Sequence, residues 1–173
     1  GYYAIQWAVM AGAEVISTAS NSSDRDLCLA LGAKAVVNHR EEDWGQQVLV
    51  ATSGKKVDRV IDVEFGANLP QILGCIAPNG VIATYSSTQV KTPSLPFLDM
   101  MYMDLTLRMV IVYAMPESAK QAAIAAISIA LEQEQLEHRV AHVVPLEKIS
   151  KAHELIEIGG FGGCVVVSME SSE

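Results

Sequence analysis

Three short polar stretches hold the residues of this 173-residue chain that are best placed to meet a charged ligand. The first, Ser20-Asn21-Ser22-Ser23-Asp24-Arg25, follows a β-rich run over residues 14–18 and carries hydroxyls and one guanidinium, with no carboxylate before Asp24. Hydroxyls beside an arginine suit a phosphate group, which a carboxylate at that place would repel. An ordinary polar turn with Arg25 in solvent accounts for the same residues. The second stretch, Glu64-Phe65-Gly66-Ala67-Asn68, and the third, Ser86-Ser87-Thr88, each close a β-rich run. Gly66 and Asn68 also read as a turn former and a helix cap. No serine, histidine and aspartate fall in an order that a nucleophile elbow would support, and no carboxylate pair recurs at a defined spacing. No residue is therefore assigned a catalytic role.

What must position these stretches is an alternation of strands and helices. Residues 59–63 are β-rich, and from Asn68 onward Leu69, Ile72, Leu73 and Ile76 fall at i, i+3, i+4 and i+7, which predicts a helix with one apolar stripe. Pro78-Asn79-Gly80 stops that helix and residues 81–85 read as a second strand. Strand, helix and strand over about 30 residues make a βαβ unit, with parallel strands and a right-handed crossover. Ligands of such sheets bind beyond the carboxyl ends of the strands, so residues 64–68 and 86–88 fall on the rim of any site.

The neighbours extend the rhythm. A helix carries Ile5, Ala8, Val9 and Gly12 on one face, a strand follows over 14–18, and Ser22 or Ser23 caps a helix over 24–31. A strand over 35–38 leads to a helix presenting Trp44, Val48 and Ala51. Beyond the βαβ unit come a short helix over 97–103, an apolar edge strand over 107–113 and a long helix from Pro116 to about Gln135. The expected architecture is a doubly wound α/β sheet over 1–135 and a strand–helix–strand appendage over 136–173, with strands at 139–144 and 164–167.

Composition narrows the partners. The net charge is −8 and no basic block is present, which argues against a nucleic-acid or anionic-membrane surface. No run reaches the roughly 18 apolar residues of a membrane span. Cys28, Cys75 and Cys164 are scattered through apolar segments and suit buried thiols of a reducing compartment, so the cytoplasm is the expected location. Among the four histidines only His138 and His142 have ligand-like spacing, and they read as a helix exit running into a strand; no metal is assigned.

Several strings resemble the zinc-independent quinone oxidoreductases of the medium-chain dehydrogenase/reductase superfamily. They are Gly1-Tyr2-Tyr3-Ala4-Ile5-Gln6-Trp7-Ala8, Leu31-Gly32-Ala33-Lys34-Ala35, Val37-Asn38-His39-Arg40-Glu41-Glu42-Asp43-Trp44 and Pro78-Asn79-Gly80-Val81-Ile82-Ala83. At the far end stand Val144-Pro145-Leu146-Glu147, Ala152-His153-Glu154 and Gly163-Cys164-Val165-Val166-Val167. The likeness runs the length of the chain.

The resemblance implies a Rossmann-like sheet of order 3-2-1-4-5-6, here without its first strand and its GxxGxxG turn, so that the chain reads as a fragment or a truncated relative. Gly1 matches the last glycine of that turn. It implies NADP(H) as cofactor, its binding weakened or lost without that turn, with Ser20, Asn21 and Arg25 at the 2′-phosphate and His39 near the adenine. Glu64, Phe65, Gly66, Asn68, Ser86 and Ser87 line the cofactor from two strand ends, and Val112 and Tyr113 approach the nicotinamide from the edge strand. Cys164 stands where relatives carry Lys or Asn and reads as a buried thiol. The implied function is the NADPH-binding portion of a protein that passes hydride to a quinone or enone, inactive alone. The alternative is a non-catalytic remnant, a homo-oligomeric structural or regulatory dinucleotide-binding module. In either case a dimer through residues 107–113 is expected.

Overall fold

Short β-branched runs alternate with amphipathic segments, and in the computed structural model, which describes residues 1–169, each becomes a strand or a helix. The order is α1 (Tyr2–Met10), β1 (Ile16–Thr18), α2 (Ser22–Ala30), β2 (Ala35–Val37), α3 (Trp44–Ala51), β3 (Val57–Asp62), α4 (Phe65–Cys75), β4 (Ile76–Thr84), α5 (Phe97–Tyr102) and β5 (Thr106–Met109). There follow α6 (Glu117–Glu132), β6 (Val140–Pro145), α7 (Ile149–Ile158) and β7 (Cys164–Ser168). Two units are distinguished, Gly1–Ala123 and Ile124–Glu173.

In the first unit β1 and β2 pair in parallel, Thr18 opposite Val37. Successive residues of a strand face opposite sides, and the packing shows it. Val15 and Val36 meet Ile5 of α1 together with Leu27, Leu31 and Ala33, whereas Ile16 and Val37 turn into the larger core with Trp44 and Val48 of α3. Helices thus cover both faces of this pair, the mark of a doubly wound layer. The second sheet has the order β3-β4-β5, all parallel, with Asp62 opposite Thr84 and Thr84 opposite Met109. Helix α4 lays Phe65, Leu69, Ile72 and Cys75 on it. Burying an isoleucine such as Ile72 or Ile82, neither measurably exposed, contributes about 1.5–3 kcal/mol each.

Among the described residues no ladder joins the two sheets: β1 pairs only with β2, and β3 only with β4. Helix α3 joins them instead. Trp44 and Val48 share one core with Val37 of β2 and with Phe65, Leu69 and Ile72 of α4. Gly45 lets the helices touch, since a Cβ there would lie 2.5 Å from the Gln71 carbonyl oxygen. The Gln71 side chain closes the joint, accepting from the Gly45 N–H at 3.0 Å and donating to the Glu42 carbonyl. The expected order of strands holds on either side of the gap.

Several boundaries differ from expectation. The α2 cap is Asn21, whose Oδ1 accepts from the Asp24 N–H at 2.8 Å, and not Ser22 or Ser23. Helix α4 begins at Phe65 and accommodates Pro70, while β4 starts directly at Ile76. Pro78-Asn79-Gly80 is therefore a bulge inside the strand, not a helix stop. Asn79 takes a left-handed φ of 62°, which asparagine tolerates, and its N–H donates to the Met103 carbonyl at 2.8 Å. The edge strand stops at Met109, and Val112 and Tyr113 lie on a single 3-10 turn. The apolar run could not signal this, because β-branched residues read the same in a strand and in an extended exit.

In the second unit β6 and β7 pair in parallel, Val144 opposite Val167, and α7 supplies the crossover. His142 meets Phe161 edge to face, centroids 4.9 Å apart. Cys164, expected as a buried thiol, is exposed, whereas Cys75 is buried and Cys28 lies between.

Candidate functional site

All strands of the first unit pair in parallel, and chain direction then puts the ends of β3 and β4 side by side. The structure brings Glu64, Phe65, Gly66, Asn68, Ser86 and Ser87 into one hydrogen-bonded cluster there. The Phe65 N–H donates to the Ser86 carbonyl at 3.0 Å, and the Gly66 N–H donates to Ser87 Oγ at 3.0 Å. Ser87 Oγ in turn donates to the Val90 carbonyl at 2.5 Å. Gly66 is required by space: a Cβ would lie 2.5 Å from the Val90 carbonyl oxygen and 2.8 Å from Ser87 Oγ.

Two carboxylates organise this rim. Asp62 is buried at the end of β3, and its oxygens accept from Asn68 Nδ2 at 2.7 Å and from the Glu64 N–H at 3.0 Å. Burial outweighs these bonds and raises its carboxyl above the ordinary aspartate value. Glu64 accepts from Thr88 Oγ1–H, the Thr88 N–H and the Gln89 N–H at 2.6, 3.0 and 2.9 Å. These donors, the Thr88 hydroxyl foremost, hold its carboxyl below the ordinary glutamate range. Thr88 was placed on the rim by the sequence, but Asp62 and Gln89 were not singled out; adjacency of the two strand ends was the signal that could have found them.

The other candidates lie on separate elements. Ser20, Asn21 and Arg25 follow the end of β1, where the Ala19 N–H still donates to the Val37 carbonyl at 3.0 Å, and Arg25 is exposed on α2. Asp24, the nearest carboxylate, is held by Asn21 Nδ2 at 2.8 Å. His39 is exposed just beyond the end of β2. Val112 and Tyr113 follow β5, whose exit is fixed by the Val110 N–H donating to the Thr84 carbonyl at 2.8 Å. Gly1 caps α1, and nothing lies within 4 Å of the place a Cβ would take, so no close helix–strand approach calls for glycine in this structure. No group of three or more His, Cys, Asp or Glu among the described residues could hold a metal ion. An open cleft of about 450 Å³ in the second unit is lined by Ile156, Phe161 and Cys164 with glycine backbone, and carries no charged group.

Parallel strands flanked by helices on both faces, with polar loops gathered at their carboxyl ends, define a Rossmann-like dinucleotide-binding fold. Residues 1–128 match the zinc-binding dehydrogenase model, and the chain belongs to that family, with the quinone oxidoreductases among its relatives. The chain is 28 % identical to the quinone oxidoreductase of Sus scrofa over 155 residues, 89 % of this chain and 46 % of that protein. A crystal structure of an NAD-dependent alcohol dehydrogenase superposes with a TM-score of 0.78 at 28 % identity, covering 96 % of this chain and 47 % of that one. The Escherichia coli quinone oxidoreductase crystallised with NADPH has the same fold, with a TM-score of 0.78 at 24 % identity over 96 % of this chain and 53 % of that one. The chain thus spans about half the length of these relatives. No helix among the described residues is long and apolar enough to cross a membrane.

Proposed function

We propose that this chain is the NADP(H)-binding portion of an oxidoreductase that transfers hydride to a quinone or an enone, and that the 173 residues give no turnover by themselves. The observation that carries the cofactor choice is the end of β1. An NAD-preferring domain places a carboxylate there for the ribose 2′-hydroxyl. Here Ser20 in the loop and Ser22 and Ser23 in the first turn of α2 stand with Arg25 exposed beside them, and the carboxylate nearest the loop, Asp24, is bonded to Asn21. Asp24 keeps its charge, so the preference for a 2′-phosphate rests on the hydroxyls and on the exposed Arg25 guanidinium beside them. His39, at the neighbouring strand end, is in keeping with the adenine side of the same site. The rim residues Phe65, Gly66 and Asn68 with Ser86 and Ser87, and Val112 and Tyr113 beyond β5, then serve the far end of the cofactor, while the Glu64 carboxylate is bonded to Thr88 and Gln89. Gly1 at the start of α1 belongs to the same cofactor side, as the match to the last glycine of the family's turn.

Fluorescence titration with NADPH and NADH tests this. The expected result is saturable binding with NADPH favoured, and inversion of that preference in Arg25→Glu. Binding of NADH alone would overturn the cofactor choice. Steady oxidation of NADPH by a quinone with the chain alone would overturn the claim of no turnover.

A second reading is favoured by the exposed edge. Strand β5 closes the three-stranded sheet, and among the described residues no strand pairs with its outer side. Met109 is 70 % exposed and Tyr113 87 % exposed just beyond it. An apolar edge of this kind is a template for strand addition. A second copy paired along β5 and packed on the exit over residues 110–113 would cover it, giving a homo-oligomeric dinucleotide-binding module. A cytoplasmic setting suits both readings, because all three cysteines are free thiols.

A further inference from the structure

The Glu64 carboxylate, although open to solvent, is bonded by both oxygens to the loop after β4. Its two oxygens are separately addressed: Oε2 receives the Thr88 N–H at 3.0 Å and the Thr88 hydroxyl at 2.6 Å, and Oε1 receives the Gln89 N–H at 2.9 Å. Consecutive backbone N–H groups converging on one anion form a nest, the geometry by which loops bind free carboxylates and phosphates. Here the anion is supplied from the neighbouring strand end. The Glu64 backbone is itself fixed, its N–H donating to buried Asp62 at 3.0 Å. Two residues on, Gly66 brings α4 so near the same loop that no side chain fits between them.

We propose that Glu64 is a positioning residue, an internal anion that occupies the Thr88–Gln89 nest and thereby pins the loop after β4 to the start of α4. In this role it does not touch the cofactor. It sets where Ser86 and Ser87 stand when a ligand reaches the rim, and the effect on affinity rests on the NADP(H) reading given above. Without Glu64 the nest is left without its anion, and its donors become a site for a small external carboxylate.

Acetate rescue is the test, read by amide resonances of the chain. In Glu64→Ala the Thr88 and Gln89 amides are expected to move, while those of Ile72 and Ile82 in the core stay in place. Acetate, with chloride at equal ionic strength as control, is expected to return them toward their wild-type positions and to leave the wild type unaffected. NADPH affinity should fall about ten-fold in the variant, the size of one charge-assisted hydrogen bond, and recover with acetate. Thr88→Val, which removes only the hydroxyl donor from an exposed residue, should shift the same amides by less. Unmoved amides in Glu64→Ala, or an equal response to acetate in both proteins, would overturn the proposal. If the amides shift and are rescued while the wild type binds neither nucleotide, the clasp stands and the dinucleotide reading fails.

Discussion

Gly66 has no room for a methyl group, because the Val90 carbonyl oxygen would lie 2.5 Å and the Val90 Cβ 2.7 Å from it. Both belong to backbone or stem atoms that cannot swing aside, so Gly66→Ala must push the loop off α4. We expect a loss of about 1–3 kcal/mol in urea unfolding, with nucleotide affinity falling alongside. The two carboxylates of the rim respond to pH with opposite sign. The carboxyl of Asp62 is raised above 3.8, chiefly by burial, so the stability linked to it is full below that value and is lost as pH rises through its folded-state pKa. The carboxyl of Glu64 is lowered beneath 4.5, chiefly by the Thr88 hydroxyl, so its contribution is present above that value and is lost as pH falls through its folded-state pKa. Asp62→Asn should therefore gain on the wild type as pH rises from the acid side, and Glu64→Gln should approach the wild type as pH falls. Urea midpoints across the acid range check both signs. At this scale the sequence was legible in part. Glu64, Gly66, Ser86 and Ser87 were found by their place at strand ends. Their roles toward one another were not, because pairing between loops far apart in the chain depends on register.

Among the elements, α3 bears the most unusual duty. It stands where β1 and β3 share no ladder, and its contact with α4 depends on Gly45 and on the two hydrogen bonds of Gln71. Gly45→Ala would place a Cβ against the Gln71 backbone, and should cost about 1–3 kcal/mol and broaden the unfolding transition as the β1–β2 pair uncouples. Calorimetry resolves this, since a single sharp transition with unchanged midpoint would contradict the joint. The edge strand yields a second expectation. Met109→Lys puts a charge on an exposed position of β5 and should leave the fold intact; on the dimer reading proposed above it shifts sedimentation toward monomer. The helices were readable from spacing and the strands from β-branched runs. What escaped was local: Pro78-Asn79-Gly80 carries every signal of a stop, yet the strand runs through it because Asn79 accepts a left-handed φ and bonds to Met103.

At the scale of the molecule the family match, the fold and the strand order agree, and all three were implied by strings scattered from Gly1 to Val167. Composition alone gave only a globular α/β chain. The missing ladder between β1 and β3 was implied by the family resemblance, and the way α3 links the two sheets became visible only with side chains in place.

The junction of α4 and β4 has a consequence for how the chain reaches this state. Helix passes to strand with no loop between Cys75 and Ile76, and the four most enclosed side chains, Ile72, Cys75, Ile76 and Ile82, all lie on these two elements. Contacts so near in sequence close at little entropic cost, so they can form before distant ones. Refolding should start there. Ile76→Val and Ile82→Val are expected to slow folding with φ-values of about 0.5–0.8, whereas Ile5→Val and Leu31→Ala should mainly hasten unfolding, with φ-values of about 0–0.3. The middle of the chain forms first, and the β1–β2 layer is added to it late.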